Sequence, residues 1–259
     1  MDFKDRVAII TGGSSGIGKA ISIDLAKAGA FVVLVGRDKS KLKTVLDEIK
    51  QYSPESIAAS CNVKDRDKIA ALIRVVNERF NAIDILINAA GFGINGSFIE
   101  SNLEDLKEQM EVNFFGTVNF CKEASDVMVK QHSGYIVNIS SIAGKIGFPN
   151  LSGYCASKFA VYGFSEVLYH ELKPHNIKVS VVLPIATKTN FFDHPSWASF
   201  PHEERHKNIL APEEVSKAVL AGMKKNNFEI VIPSTYKLKL IGKSILQGLA
   251  FKRIEKLPR

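Results

Sequence analysis

The sequence predicts an α/β fold, a doubly wound seven-stranded parallel sheet with helices on both faces. Three features of the 259 residues carry that expectation. Short apolar runs alternate with longer amphipathic stretches, the pattern of strands and crossover helices in a parallel sheet. The short runs are near-continuous in Val, Ile and Leu, as required where a strand is buried on both faces. A glycine cluster stands directly between the first run and the first amphipathic stretch.

In chain order, strands are expected at 6–11, 31–36, 56–60, 83–88, 134–140, 178–183 and 229–232. Helices are expected between them at 16–29, 38–51, 65–80, 102–132, 152–173 and 212–225. Ser152 offers a start for the fifth helix, and Ala211-Pro212-Glu213-Glu214 a start for the sixth. The stretch 186–211 is rich in Thr, Phe, His, Pro and Trp and long for a loop in a compact domain; such loops tend to be lids or binding elements. No linker, repeat or low-complexity segment divides the chain. Residues 1–233 therefore read as one domain and 234–259 as a basic, amphipathic C-terminal tail.

With 46% hydrophobic and 24% charged residues, the composition is that of a globular protein with a sizeable core. Cys61, Cys121 and Cys155 lie far apart, which suits a reducing compartment and suggests neither a disulfide framework nor a zinc site. The first residues do not read as a secretory signal, and no apolar run approaches the ~20 residues of a membrane span. The expectation is a cytoplasmic protein, attached at most to a membrane surface. From Ser234 onward seven basic residues face the single acid Glu255, which is +6 of the net +7. The charge excess thus belongs to the tail, and no nucleic-acid-binding motif accompanies it. In that tail Leu238, Ile241, Ile245 and Leu249 form a helical stripe with Lys239 and Lys243 turned away. Such a segment either lies in a membrane interface or packs on its own domain or on a partner subunit.

The glycine cluster is Thr11-Gly12-Gly13-Ser14-Ser15-Gly16-Ile17-Gly18. Glycines there permit a sharp turn, close approach of backbone to a pyrophosphate, and tight packing of helix on strand. The helix start supplies free N–H groups and a partial positive charge for the anion. At the end of the second strand, NAD-binding folds place an acid on the ribose 2′-hydroxyl. Here stand Gly36 and Arg37, and an arginine can hold a 2′-phosphate through paired charge-assisted bonds. The reading is NADP(H), although Asp38 stands one place further on.

Tyr154-Cys155-Ala156-Ser157-Lys158, the TGxxxGxG loop at 11–18, Asn88-Ala89-Ala90-Gly91 and Ser140-Ser141 follow one another in order and spacing. On these motifs the chain resembles the short-chain dehydrogenase/reductase family over essentially its whole length. The resemblance implies a Rossmann-type fold and a catalytic tetrad of Asn113, Ser141, Tyr154 and Lys158. Tyr154 and Lys158 are four apart and share one helix face. A nearby ammonium lowers the pKa of a phenol that otherwise titrates near ~10, so the tyrosine can exchange a proton with a substrate oxygen. Ser141 would hold that oxygen, with Ser140 a rival for the role; Asn113 would position a water behind the lysine. The implied cofactor contacts are Gly12, Ser14, Ser15, Gly16, Ile17, Gly18, Arg37, Asn62, Val63, Asn88, Ala89, Gly91, Tyr154, Lys158, Pro184 and Thr189. The chain departs from the family at Asn62, where an Asp is usual, and at Ile185, where Pro184 is usually followed by Gly.

Cys155 reads as a small buried residue, and His194, His202 and His206 have no metal-ligand spacing. Phe191, Phe192, Trp197 and Phe200 either cover an apolar substrate or anchor their loop. With looser similarity to reductases of 3-keto lipids, the expected activity is NADPH-dependent reduction of a hydrophobic ketone by a homodimer or homotetramer. The alternatives are an NAD(H)-dependent alcohol or hydroxysteroid-type dehydrogenase, or a non-catalytic cofactor-binding protein held to membranes by its tail.

Overall fold

The computed structural model describes residues 2–198, 209–238 and 240. Its sheet contains β1 (Val7–Thr11), β2 (Phe31–Gly36), β3 (Ile57–Ser60), β4 (Ile85–Asn88), β5 (Gly134–Ile139), β6 (Ile177–Pro184) and β7 (Glu229–Ile232). All pairings are parallel and the order is β3-β2-β1-β4-β5-β6-β7. This is the seven-stranded doubly wound sheet the apolar runs predict, and β1 and β4 flank the point where strand order reverses. Ligands of such sheets bind outside the carboxyl ends of the strands at that point.

The helices are α1 (Gly16–Lys27), α2 (Lys39–Ile49), α3 (Arg66–Phe80), α4 (Leu103–Met110), α5 (Gly116–Gln131), α6 (Ser152–Leu172) and α7 (Pro212–Lys224). One face of the sheet is covered by α1, α2 and α7, with Ile21, Leu25, Leu42, Val45, Val215 and Val219 packed on Ala8, Ile10, Val32 and Leu34. The other is covered by α3, α5 and α6, with Ile69, Ile73, Phe120 and Met128 packed on Ile9, Val33, Leu86 and Ile136. Central strands sandwiched this way lose water on both sides, so they have no polar face to show.

Asp38, Asp65 and Asn102 cap α2, α3 and α4 by accepting from first-turn N–H groups. Ser152 does not cap α6: it is the first helical residue, and Leu151 precedes it without a side-chain bond. The start of α7 is closed by Glu214, whose carboxylate accepts from Ala211 N–H at 2.7 Å. The helix expected at 102–132 runs from Leu103 to Gln131 and widens once along its length. Residues Glu111–Phe115 form one π-helical turn between α4 and α5, the insertion that commonly marks functional sites in helices.

Of the tail stripe, only Leu238 falls within the described residues, and it is largely exposed. Leu240, outside the stripe, packs on Val181, Leu183 and Val231 instead. Phe200, His202, His206 and residues 241–259 lie outside the described residues. Among the described residues no helix is long and apolar enough to cross a membrane.

Candidate active site

The glycine loop passes from β1 into α1 beside β4. Gly12 adopts φ +66°, and a Cβ there would stand 2.9 Å from Ala90 N. A Cβ on Gly18 would stand 2.4 Å from Gly12 O, and one on Gly16 would stand 2.8 Å from Thr189 Cγ2. Ser15, the N-cap of α1, makes no side-chain capping bond. The helix start therefore faces a cradle that only glycines leave open, which is what a pyrophosphate requires.

A cleft of about 220 Å³ runs from this cradle across the strand ends. Gly12, Ser15, Gly16, Ile17 and Gly18 line it with Thr189 against Gly16, and Ala89, Gly91, Ser141, Tyr154, Lys158 and Pro184 complete the lining. Ser14, Arg37, Asn62 and Val63 are not in its lining. Ser14 Oγ would stand 3.2 Å from a Cβ on Gly36, beside Arg37, and Ser60 Oγ donates to Arg37 O at 3.2 Å. Asn62 Oδ1 accepts from Lys64 N–H, and Val63 lies under Gly116. Asn88 is also absent from the lining. Its side chain is buried inside the sheet, donating to Asn138 Oδ1 and Cys121 Sγ, and does not reach the cleft.

Asp38 is also accounted for. Its carboxylate accepts from Ser40 N–H at 2.9 Å, Ser40 Oγ at 2.6 Å and Lys41 N–H at 3.1 Å. The Ser40 hydroxyl and the Lys41 amide hold it below the usual carboxylate range. All three bonds fall on Oδ1, which makes Asp38 the N-cap of α2.

Tyr154 and Lys158 sit on the first turns of α6, with the ammonium 5.8 Å from the centroid of the phenol ring. Burial pushes the phenol up to about 12, and a hydrogen bond with Ser141 offsets this only in part. Burial likewise pushes the ammonium down to about 8. The lysine was expected to lower the tyrosine; instead, its Nζ donates to Ile139 O at 2.9 Å, and loss of water dominates both groups. Ser140 Oγ donates to Lys158 O at 2.9 Å, a bond that braces α6. Ser141 Oγ accepts from Ala143 N–H at 3.1 Å, makes a longer contact of 3.4 Å to Pro184 O, and lines the cleft.

Asn113 lies within the π turn and is completely buried. Its Nδ2 donates to Phe92 O and to Ser157 Oγ, both at 2.9 Å, and its Oδ1 accepts from Phe92 N–H. The carboxamide thus ties the segment after β4 to α6. After Pro184, Ile185 takes an ordinary backbone conformation; it is not among the left-handed non-glycine positions, and its N–H donates to Ile232 O at 3.0 Å. The usual glycine is not needed for this path.

The sequence matches the short chain dehydrogenase family over residues 6–196. The chain belongs to that family. It is 34% identical over 229 residues to a 3-dehydrosphinganine reductase of Danio rerio, covering 85% of this chain and 69% of the relative. It is 32% identical over 257 residues to a 3-ketodihydrosphingosine reductase of Dictyostelium discoideum, covering 91% and 77%. A solved short-chain dehydrogenase/reductase of Burkholderia phymatum, in complex with NAD, superposes with a TM-score of 0.86 over 96% of each chain at 24% identity, a likeness of fold. A short-chain dehydrogenase of Streptomyces avermitilis superposes with a TM-score of 0.80 at 28% identity, over 98% of this chain and 97% of that one. As a short-chain dehydrogenase, the chain is an oxidoreductase whose fold receives a nicotinamide dinucleotide.

This short-chain dehydrogenase carries a second cavity of about 240 Å³ against the first. Ile142, Ala143, Phe148, Leu151, Ala186, Phe191, Phe192 and Trp197 line it, with Ser141 and Tyr154 at its inner end. The Phe191 ring meets the Tyr154 ring edge-on at 5.0 Å. The loop that brings these aromatics is pinned at its base, where Lys188 N–H donates to Leu210 O and Leu210 N–H to Ala186 O. Gln109, Ser157 and Gly93 escaped sequence reasoning, since nothing in local periodicity marks a side chain that ties two distant segments.

Proposed function

We propose that this protein reduces the ketone of a long-chain, predominantly apolar substrate, using NADPH. One observation carries the reading: Ser141 and Tyr154 line both cavities, so the proton donor stands where the dinucleotide cleft meets an apolar chamber. Among the described residues no charged side chain lines that chamber, which favours a hydrocarbon chain. The reductases of 3-keto sphingoid bases among the relatives support a 3-keto lipid. Arg37, which follows the Gly36 that Ser14 Oγ approaches at the end of β2, supports a 2′-phosphate and hence NADP(H).

When bound, the dinucleotide supplies the hydride. A phenol pushed to about 12 is fully protonated at neutral pH, so Tyr154 is poised to donate its proton to the oxygen of a ketone. Ser141 gives that oxygen a second hydrogen bond and aligns it with the phenol. Lys158, fixed through one proton on Ile139 O, directs the others toward the ribose end of the cleft. Ser140 and the Asn113–Ser157 bond keep α6 in place while these groups act.

The test is titration of NADPH and NADH, followed by fluorescence, for wild type and Arg37→Ala. Tighter NADPH binding that Arg37→Ala abolishes supports the cofactor reading; equal affinities refute it. Reduction of 3-keto long-chain bases is then compared with that of short polar ketones, and a clear preference for the short ones refutes the substrate reading. Homo-oligomerisation and membrane contact through the basic tail belong to the same proposal. Sizing in solution tests the first, and liposome binding with and without residues 234–259 tests the second.

A further inference from the structure

Every residue from Phe92 to Asn95, just after β4, is held, and the holds alternate between two sides. On one side, Asn113 binds both the N–H and the C=O of Phe92, at 3.0 and 2.9 Å, and Gln109 Oε1 accepts from Ile94 N–H at 3.0 Å. On the other, Trp197 Nε1–H donates to Gly93 O at 3.0 Å, and Ser196 Oγ accepts from Asn95 N–H at 3.0 Å. Asn95 Nδ2 also donates to Ser196 O at 3.4 Å. The alternation is that of an extended chain, whose successive groups face opposite ways. Gly93 leaves room for the aromatic turn, since a Cβ there would stand 2.3 Å from Phe191 Cζ. The Trp197 ring is 3% exposed and packs on Phe191 at 5.3 Å and on Phe192 at 4.9 Å.

We infer that Trp197 and Ser196 are positioning residues of the reduction: they seat the aromatic turn on Phe92–Asn95 and so register the Phe191 wall against Tyr154. Neither has a part in proton transfer. The stretch they grip is the one Asn113 and Gln109 hold from behind, so the wall of the substrate chamber and the floor of the catalytic site share one support. The inference rests on the reading that the apolar chamber takes the chain of a ketone.

Trp197 is the one tryptophan of the chain, so its emission reports the seat without any substrate. Ser196→Ala and Gln109→Leu, neither of which alters a ring, are each expected to shift that emission to longer wavelength. In steady-state reduction, Ser196→Ala is expected to raise KM for a long-chain 3-ketone about tenfold, the worth of one buried hydrogen bond. Over the same comparison kcat stays within about twofold, and KM for a short ketone and the affinity for NADPH stay unchanged. An unshifted emission in Gln109→Leu overturns the shared support. Equal losses toward long ketone, short ketone and NADPH overturn the positioning role, because they report general loosening. If the wild type reduces no long-chain ketone, the substrate reading fails by itself, and the emission arm still judges the seat.

Discussion

Replacing Lys158 with methionine isolates the cost of holding a cation in the site. The ammonium is pushed from its ordinary 10.5 down to about 8 by burial. Below pH 8 folded and unfolded chains both carry the proton, and the fold bears the whole cost of an ammonium stripped of water. Between pH 8 and 10.5 the unfolded chain keeps a proton that the folded chain has released, so wild-type stability rises with pH. At about 1.36 kcal/mol per decade, the gain between pH 7 and pH 10 is about 2.5 kcal/mol. Lys158→Met has no such group, and the other titrating residues are common to both proteins. The advantage of the methionine variant over wild type should therefore shrink by about 2.5 kcal/mol between pH 7 and pH 10. Urea unfolding of both proteins without dinucleotide, at a series of pH values, measures the difference directly. Parallel stability curves across that range would refute the argument, and with it the claim that burial governs this lysine.

Tyr154→Phe should retain NADPH affinity and lose roughly 10²–10⁴ in kcat, the usual worth of a positioned proton donor, as read by single-turnover reduction. Gly18→Ala puts a Cβ 2.4 Å from the backbone Gly12 O; it should cost about 1–3 kcal/mol in urea unfolding and weaken dinucleotide binding in titration. Arg37→Ala should weaken NADPH binding roughly tenfold to a hundredfold while leaving NADH binding unchanged, since a charge-assisted bond contributes about 1.5–3 kcal/mol. Ser140→Ala should lower thermal stability with little change in KM, because its hydroxyl serves Lys158 O and not substrate.

The sheet was legible from the sequence because burial on both faces leaves a mark on every strand: seven uninterrupted apolar runs, each of which became a strand within a residue or two of its expected ends. The glycine loop and the Tyr154–Lys158 pair were legible for a related reason. Each is a local arrangement, a turn or an i, i+4 spacing, and its chemistry follows from neighbours in the chain. Arg37 and Asp38 stood side by side in the sequence with opposite implications, and the fold shows Asp38 capping the first turn of α2. Tertiary structure alone decided the rest. The π turn inside the expected 102–132 helix, the burial of the Asn88 side chain, and the grip of Trp197 on Gly93, 104 residues away, all depend on what a distant segment presents. The protonation of Tyr154 and Lys158 belongs to the same group. Sequence spacing brings a phenol and an ammonium together, but only the depth of burial settles whether their mutual attraction or the loss of water wins, and here water's absence wins.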